Sequence, residues 1–272
     1  MAIIKETRGD KVFNIVNLIL VTLCVLLVLY PLYFILIASF SNPNLVAAGE
    51  VWFYPREMTL DAYRTVFKNK DIVIGYLNTI FYAVFGTLFS LAMTLTAAYA
   101  LSKRHFIGRN VIMFFFAFTM YFGGGLIPSF LLVNKMGLMD TCWAILLPGA
   151  CNVWNIIIMR TQFVNIPDGL KEVATIDGAS DVTILFRILI PLSGAVIAVL
   201  VLFSAVGYWN MWYEPMIYLT KRSQYPIQSV LREILIDSNA QMMAGAGKTQ
   251  IKLSNTKDPA IQTLVKYANI VV

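Results

Sequence analysis

An all-α, polytopic membrane helix bundle is the fold class that this sequence predicts. Hydrophobic residues make up 58% of the 272 residues and charged residues only 13%, whereas soluble domains carry about a quarter charged residues. The mean hydropathy is +0.71. The apolar residues form long continuous runs, which favours helices over the alternating strands of a membrane barrel. Helices also satisfy their own backbone hydrogen bonds in lipid.

The first two spans lie in stretches without charge. No charged residue occurs from Val12 to Gly49, and about 20 apolar residues suffice to cross the hydrocarbon core. The first predicted span is therefore Ile15 to Ala38, and the second, by the same argument, is Tyr76 to Leu101. The charged segment before the first span is not followed by a small-residue cleavage site, so we expect a retained span rather than a signal peptide.

Three further spans follow, and a sixth begins near the end of the chain. The third span is predicted within Val111 to Val133, the shorter fourth within Thr141 to Met159, and the fifth from Ile188 to Trp212. The last six residues, YANIVV, resemble the opening turns of a sixth span. A single transmembrane domain over 1–272 accounts for this pattern.

The basic charge of the chain, +6, is assigned to membrane topology. No basic run is sustained, so nucleic-acid binding is not expected. Cytoplasmic loops of membrane proteins collect Lys and Arg, which places the N-terminus in the cytoplasm and a long loop of about 214–264 outside. The basic residues of the two inner segments are Lys5, Arg8, Lys11, Lys103, Arg104 and Arg109.

A polar segment of about 161–191 interrupts the apolar pattern on the predicted cytoplasmic side. Pro167 and Asp168 suit the first turn of a helix, and Gly178 can end that helix at positive φ. Ser180 is a favourable N-cap for a second helix, and Pro191 either closes that helix or opens the fifth span. The segment therefore predicts two short helices that are bent at a glycine.

The first of these helices carries a small apolar face. Leu170, Val173 and Ala174 share one side by i, i+3, i+4 spacing, and two acids, Glu172 and Asp177, lie beside them. This face is too small to form a core of its own but suits docking into a groove on another protein. Binding of this helix to a lipid surface is less favoured, because Lys is scarce in it and acids are present.

These residues carry a family resemblance. The order Glu-Val-Ala, three residues to Gly178, and Ile190-Pro191 is similar to the EAA loop of binding-protein-dependent ABC importer permeases, with Val173 where Ala is usual. Further segments resemble the carbohydrate branch of that family, of the maltose-importer type, and especially permeases for oligosaccharides and polysaccharide fragments. These segments are FGGGLIPSF at Phe122–Phe130, MGLMDTCWAILLPG at Met136–Gly149 and GYWNMWYEPMIYL at Gly207–Leu219.

The resemblance implies a fold and a mechanism. It implies a type I importer permease in a bacterial inner or plasma membrane, whose polar segment is a coupling helix seated in a cytoplasmic ATPase subunit. Expected partners are a second, homologous permease in a heterodimer, two ATPase subunits, an extracytoplasmic sugar-binding protein and membrane lipid. This chain would be no enzyme and would bind no cofactor, because ATP and Mg would sit on the ATPase subunits. The implied coupling residues are Glu172, Ala174, Asp177, Gly178, Ala179 and Pro191.

An aromatic cluster at the outer end of the fifth span has two interpretations. It could form the aromatic belt at the lipid interface. It could equally form a wall of the sugar pathway, because aromatic faces pack on sugar rings and an amide bonds hydroxyl groups. The cluster comprises Tyr208, Trp209, Asn210, Trp212 and Tyr213.

Three glycines interrupt the third span and leave a similar choice. Gly123, Gly124 and Gly125 could permit close helix packing, which is the favoured interpretation. Alternatively, they could break the helix and line the pathway.

Other motifs weigh against an enzyme or an ion-driven carrier. GAGKT at Gly245–Thr249 lacks the first glycine of a phosphate-binding loop, and the cysteines share no metal-ligand spacing. An ion-coupled secondary transporter remains the alternative, but such carriers keep ionisable residues within their spans. In the outer loop, Ile227, Val230, Leu231 and Ile234 predict an amphipathic helix that contacts either the membrane or the solute-binding protein.

Overall fold

The computed structural model describes residues 8–60, 63–64, 67 and 69–243. Every regular element within these ranges is helical. The chain divides into two compact units, one of residues 1–70 and 233–272 and the other of residues 71–232. The predicted start of a sixth span and the GAGKT motif lie outside the described residues.

The first unit contains a long apolar helix, α1, Arg8–Ser39, and a short helix, α2, Pro43–Ala47. The most apolar stretch of α1 is not buried at all within the protein, and such an all-round apolar surface is typical of a membrane span. Its last turn is buried, and there the hydroxyls of Ser39 and Tyr63 lie 2.9 Å apart. The first predicted span, Ile15 to Ala38, falls inside α1.

The second unit is built on α3, Lys70–Ser102, which contains the second predicted span. Three pairs of bent helices follow it, and by length and composition the described helices could provide up to five spans. The pairs are α4, Arg109–Tyr121, with α5, Leu126–Lys135; α6, Trp143–Gly149, with α7, Val153–Asn165; and α9, Asp181–Leu192, with α10, Gly194–Trp209.

The third predicted span is broken rather than straight. The axes of α4 and α5 differ by 117°, and the break lies at the three glycines. Gly125 has φ +81° and ψ 179°, a conformation that is essentially restricted to glycine. A Cβ at Gly123 or Gly125 would meet no atom of this chain within 4 Å. The glycines therefore act as a helix break in this chain, and the favoured interpretation of close packing is wrong within it.

The fifth predicted span is also shorter than expected. The helix α9 runs through Pro191 and turns by 87° at Ser193 before α10 begins. A π-helical turn, Leu185–Leu189, lies within α9 directly before Ile190 and Pro191. Because proline has no N–H and clashes with the preceding turn of a regular α-helix, a wider turn at this place accommodates it. The straight helix in this region is Gly194–Trp209, of 16 residues, and by length and composition it could form a span together with α9.

The largest buried cluster of the second unit joins α3, α7, α9 and α10. Its members interlock around α7, where Ile156, Met159 and Phe163 have no exposed surface. Leu95 and Ala98 contribute from α3, and Leu189 contributes from α9. This core fixes the base of the polar segment.

The chain after α10 forms a short helix α11, Tyr213–Tyr218, a 3-10 turn, Arg222–Gln224, and α12, Ile227–Met243. The predicted helix at Ile227 is thus present, and part of its apolar side packs against the chain itself. Ile227 and Val230 are buried within the chain. The Ile227 N–H donates to Thr79 Oγ1 at 2.8 Å, and a Cβ at Gly75 would lie only 3.1 Å from Ile227 Cα.

Candidate functional site

The polar segment folds as two helices bent at a glycine. α8, Asp168–Ile176, ends before Gly178, which has φ +78°. The N–H of Ala179 donates to the carbonyl of Ala174 at 2.9 Å, closing the turn. Ser180 then caps α9, because its hydroxyl accepts a hydrogen bond from the Thr183 N–H. The local geometry agrees with the capping pattern of the sequence.

The predicted coupling residues divide between an outward and an inward side of this segment. Glu172, Asp177 and Gly178 are exposed. Ala174 and Ala179 are half-buried and pack against the core cluster. The close approach that these two alanines permit is therefore an approach of α8 to its own bundle.

An exposed apolar surface lies on the outward side of α8. Val173 is 59% exposed and Ile176 is 85% exposed, which is unusual for large apolar side chains outside lipid. With 3.6 residues per turn, Ile176 lies about 160° and Val173 about 100° around the helix from Ala174, and Glu172 lies beside Ile176 on the exposed side. We call Glu172, Val173 and Ile176 the α8 face.

Two ion pairs anchor the segment to the loop between α3 and α4. Arg104 Nη2 lies 3.2 Å from Asp168 Oδ2, at the start of α8. Lys103 Nζ pairs with Asp181, at the start of α9, and the Tyr99 hydroxyl donates to the same carboxylate at 2.9 Å. Adjacent basic residues thus hold both sides of the Gly178 turn.

Sequence reasoning missed this anchor. It had assigned Lys103 and Arg104 to topology alone, although acids at helix starts and a basic loop on the same membrane side were visible. Arg160, on α7, was also outside the predicted spans. Its Nε donates to the Leu101 carbonyl at 3.0 Å, at the end of α3.

A cavity of about 570 Å³ lies at the other end of the second unit. Four of the five residues in the predicted aromatic cluster line it, namely Tyr208, Asn210, Trp212 and Tyr213. Trp209 does not line it and is 40% exposed. The glycines at the α4–α5 break are also not part of its wall.

Several polar groups in this wall were not predicted. Asn155, which is buried, lies with its Nδ2 3.4 Å from Ser204 Oγ, and its backbone N–H donates to Asn152 Oδ1. These residues come from α7 and α10, which meet only in the folded chain. The further polar lining residues are Ser90 and Glu214.

Tyr208 occupies a slot between two glycines. A Cβ at Gly86 would lie 2.5 Å from Tyr208 Cζ, and a Cβ at Gly149 would lie 2.7 Å from its hydroxyl oxygen. The ring is 92% buried, given its 8% exposure, and its hydroxyl has no hydrogen-bond partner among the described residues. The hydroxyl oxygen is enclosed by the chain itself, so the slot fixes the Tyr208 ring rather than presenting its hydroxyl to the cavity.

Trp212 is held in place from several sides. The Arg232 guanidinium carbon lies 3.4 Å from the centre of its ring. The Tyr213 ring meets it edge-on, with centroids 5.4 Å apart. The Ser229 hydroxyl donates to the Trp212 carbonyl at 3.0 Å. These contacts fix a large aromatic surface in the cavity wall.

Hydrogen bonds close the same end of the unit. The Asn78 amide donates to the carbonyls of Ser223 at 2.8 Å and Tyr225 at 3.0 Å. Asp140 accepts hydrogen bonds from the backbone N–H and the hydroxyl of Thr220. These bonds lower the pKa of the Asp140 carboxyl from its ordinary value, the backbone N–H having the largest effect. We call the Asp140–Thr220 pair the outer clasp.

The α8 face and most of the cavity wall fall within a segment that matches a known family model. Residues 91–220 match the model described as "Binding-protein-dependent transport system inner membrane component". This range begins within α3 and ends at the outer clasp, so it contains the α8 face and most of the cavity wall.

Full-length relatives extend the similarity over most of the chain. Protein LplC of Bacillus subtilis (strain 168) is 38% identical, over 86% of this chain and 79% of LplC. The polygalacturonan/rhamnogalacturonan transport system permease protein YtcP of the same organism is 40% identical, over 92% of this chain and 84% of YtcP.

A solved structure has the same fold. It is the crystal structure of a bacterial ABC transporter involved in the import of the acidic polysaccharide alginate. The match has a TM-score of 0.87 and 36% identity, and it covers 98% of this chain and 93% of the other.

Proposed function

We propose a function for this chain on the basis of its family: it belongs to the binding-protein-dependent transport system inner membrane components. As such a component, it moves oligosaccharides or polysaccharide fragments through the membrane for an ATP-driven importer. The sequence-based assignment to ABC importer permeases is confirmed, and so is the all-helical membrane fold. As a permease component, the chain is a non-catalytic membrane subunit, as predicted.

The α8 face is the observation that carries the coupling part of this proposal. Large apolar side chains on a short helix, exposed next to an acid, form a surface that another protein can cover. The ion pairs to Lys103 and Arg104 and the packing of Ala174 fix the base of this helix. A partner that displaces the α8 face would therefore also displace α3 and α7, because α8 is attached to both. The partner of this face would be a cytoplasmic ATPase subunit.

The anchor also supports the proposed topology. The loop that ends α3 contacts the polar segment directly, through Arg104 and Asp168. Both must therefore lie on one side of the membrane, as a cytoplasmic N-terminus with alternating spans requires. A second permease in a heterodimer, two ATPase subunits that hold ATP and Mg, and an extracytoplasmic binding protein complete the proposed assembly.

The cavity supports carbohydrate as the cargo. Its wall combines the fixed ring of Trp212 with side-chain amides, such as those of Asn155 and Asn210, and with the hydroxyls of Ser90 and Ser204. Aromatic faces pack on the apolar faces of sugar rings, and amides offer donors and acceptors to sugar hydroxyls. The relatives named for polygalacturonan, rhamnogalacturonan and alginate point to the same class of cargo.

The test is reconstitution of the chain in vesicles with a second permease, ATPase subunits and binding protein encoded by the same organism. We expect sugar uptake that requires ATP and survives collapse of the ion gradients, with ATP hydrolysis that rises when sugar and binding protein are added. Uptake that stops with a protonophore while ATP is held constant would support the ion-coupled carrier instead.

A further inference from the structure

The cavity wall contains a single formally charged side chain, and that charge is negative. Glu214 is the only acidic or basic residue among the lining residues, all of which the structure describes. It lies at the start of α11 and is exposed. The other polar groups of the wall are amides and hydroxyls, which carry no charge.

Arg232 is a cation close to this wall but not part of it. The guanidinium of Arg232 lies over the Trp212 ring, and Arg232 itself does not line the cavity. Neither Lys nor Arg from any other described element contributes to the wall. A carboxylate that entered the cavity would therefore meet the charge of Glu214 in the wall, and no Lys or Arg among the described residues lines the wall beside it.

This distribution of charge discriminates between two kinds of sugar. Neutral sugars need only donors, acceptors and an apolar surface, all of which the wall supplies. A uronic acid residue brings a carboxylate, and the like charge of the exposed Glu214 side chain repels it, most strongly at low ionic strength. Selectivity can arise from such an unfavourable contact as well as from favourable ones.

We propose that Glu214 makes this cavity select neutral oligosaccharides over oligosaccharides of uronic acids. The proposal rests on the proposed function and names its substrate class. It departs from what the relatives suggest, because one is named for polygalacturonan and another for acidic alginate.

The test compares two probes that differ in charge on the same sugar rings. The probes are trigalacturonate and its fully methyl-esterified form, both fluorescently labelled. Their dissociation constants are measured on the complex of this chain with its partner permease in lipid nanodiscs, without the binding protein, which would impose its own selectivity. Glu214→Gln is nearly isosteric, so a change in the ratio of the two constants reports charge rather than size. Glu50→Gln, outside the cavity wall, is the matched control.

We expect the neutral ester to bind at least about threefold more tightly at low salt, a ratio consistent with one screened like-charge contact. The ratio should shrink between about 0.01 M and about 1 M salt, because the Debye length falls from about 30 Å to about 3 Å. Glu214→Gln should bring the ratio close to one, and Glu50→Gln should leave it unchanged.

Three results would overturn the proposal. The acid form could bind as tightly as the ester in the unaltered chain, or the ratio could persist in Glu214→Gln. Arg232→Gln could weaken binding of the acid form alone, which would show that a cation reaches the cargo. If sugar-stimulated ATP hydrolysis is normal in these cases, only the selectivity fails. If no sugar binds and none stimulates hydrolysis, the proposed function fails with it.

Discussion

The two ends of the second unit are held together by different kinds of contact. At the end that carries the polar segment, charged side chains pair with one another, as in Arg104–Asp168 and Lys103–Asp181. At the end that carries the cavity, the Arg222–Asp71 ion pair is accompanied by side-chain bonds to backbone groups, such as those of Asn78 to two carbonyls. The first end leaves an apolar surface uncovered, whereas the second buries Ile227 and Val230.

This difference indicates that the two ends have different roles, coupling at the first and stability at the second. Exposed ion pairs are individually weak, which suits the role we propose for this segment, that it shifts slightly with a partner while the packing of Ala174 keeps it attached to the bundle. Hydrogen bonds to backbone carbonyls fix a geometry and leave an unsatisfied group when broken, which suits a frame around a cavity. We therefore expect substitutions at the first end to disturb coupling and those at the second end to disturb stability.

The largest effect is expected at the turn of the polar segment. Gly178→Pro should abolish sugar uptake while the chain still inserts, because proline fixes φ near −65° and Gly178 has φ +78°. Proline also removes the N–H that donates to Thr175. Uptake and copurification with ATPase subunits are the measurements.

Gly178→Asn is the matched control for that turn. Asn adopts positive φ more readily than other side chains, so it should keep much of the uptake. Normal transport by Gly178→Pro would show that the turn does not matter for coupling.

A smaller effect, on stability rather than coupling, is expected at the cavity end. Asn78→Ala removes two hydrogen bonds to the segment before α12 and leaves the carbonyls of Ser223 and Tyr225 without that donor. We expect a loss of about 1–3 kcal/mol in the free energy of unfolding, measured by thermal unfolding of the purified complex. The ratio of ATP hydrolysed to sugar moved should stay the same. If Asn78→Ala changed the ratio of ATP hydrolysed to sugar moved but left stability unchanged, this end would affect coupling instead of stability.

The anchor itself should contribute modestly. In a double-mutant cycle, Lys103→Met and Asp181→Asn should show a coupling energy of about 0.2–1 kcal/mol, which falls at high salt. Each single variant should also raise the ATP hydrolysed per sugar moved, because α9 is less firmly attached to α3. Strict additivity together with an unaltered ratio would argue that the pair has no role.

The smallest effect concerns pH at the outer clasp. The pKa of Asp140 is lowered in the folded chain, so its carboxylate stabilises the fold above the ordinary value of 3.8. This contribution should disappear as pH falls through the lowered pKa. Unfolding curves from pH 7 to about pH 3 should therefore diverge between the unaltered chain and Asp140→Asn at neutral pH and converge in acid. If the stabilities of the two proteins changed in parallel with pH, the Asp140 carboxylate would not stabilise the fold through the outer clasp.

Sequence alone predicted the local chemistry better than the long-range geometry. The helix ends around Gly178 and Ser180 were predictable, because capping and positive φ depend on a few adjacent residues. The straight first and second spans were equally accessible from the charge-free runs.

The bends and the cavity were not accessible in this way. A run of apolar residues is compatible with a straight span and with a broken one, so the sequence gives only weak evidence for the breaks at Gly125 and Ser193. Tyr208 fits between Gly86 and Gly149, which are distant in sequence, and no local pattern reports that fit. The anchor was similarly hidden, because Lys103 and Asp181 meet only after α3 and α9 pack.

We propose that the α8 face transmits ATP-driven motion of the ATPase subunits to the permease. The most direct test of this claim is sugar-stimulated ATP hydrolysis by the complete importer carrying Ile176→Asp, with Thr175→Asp, on the flank of the same helix, as the matched control. We expect the Ile176→Asp complex to lose ATPase subunits on purification and to lose stimulation, because a carboxylate replaces an apolar group in a covered interface. Thr175→Asp should keep both. Full stimulation and a stable assembly with Ile176→Asp would contradict the claim.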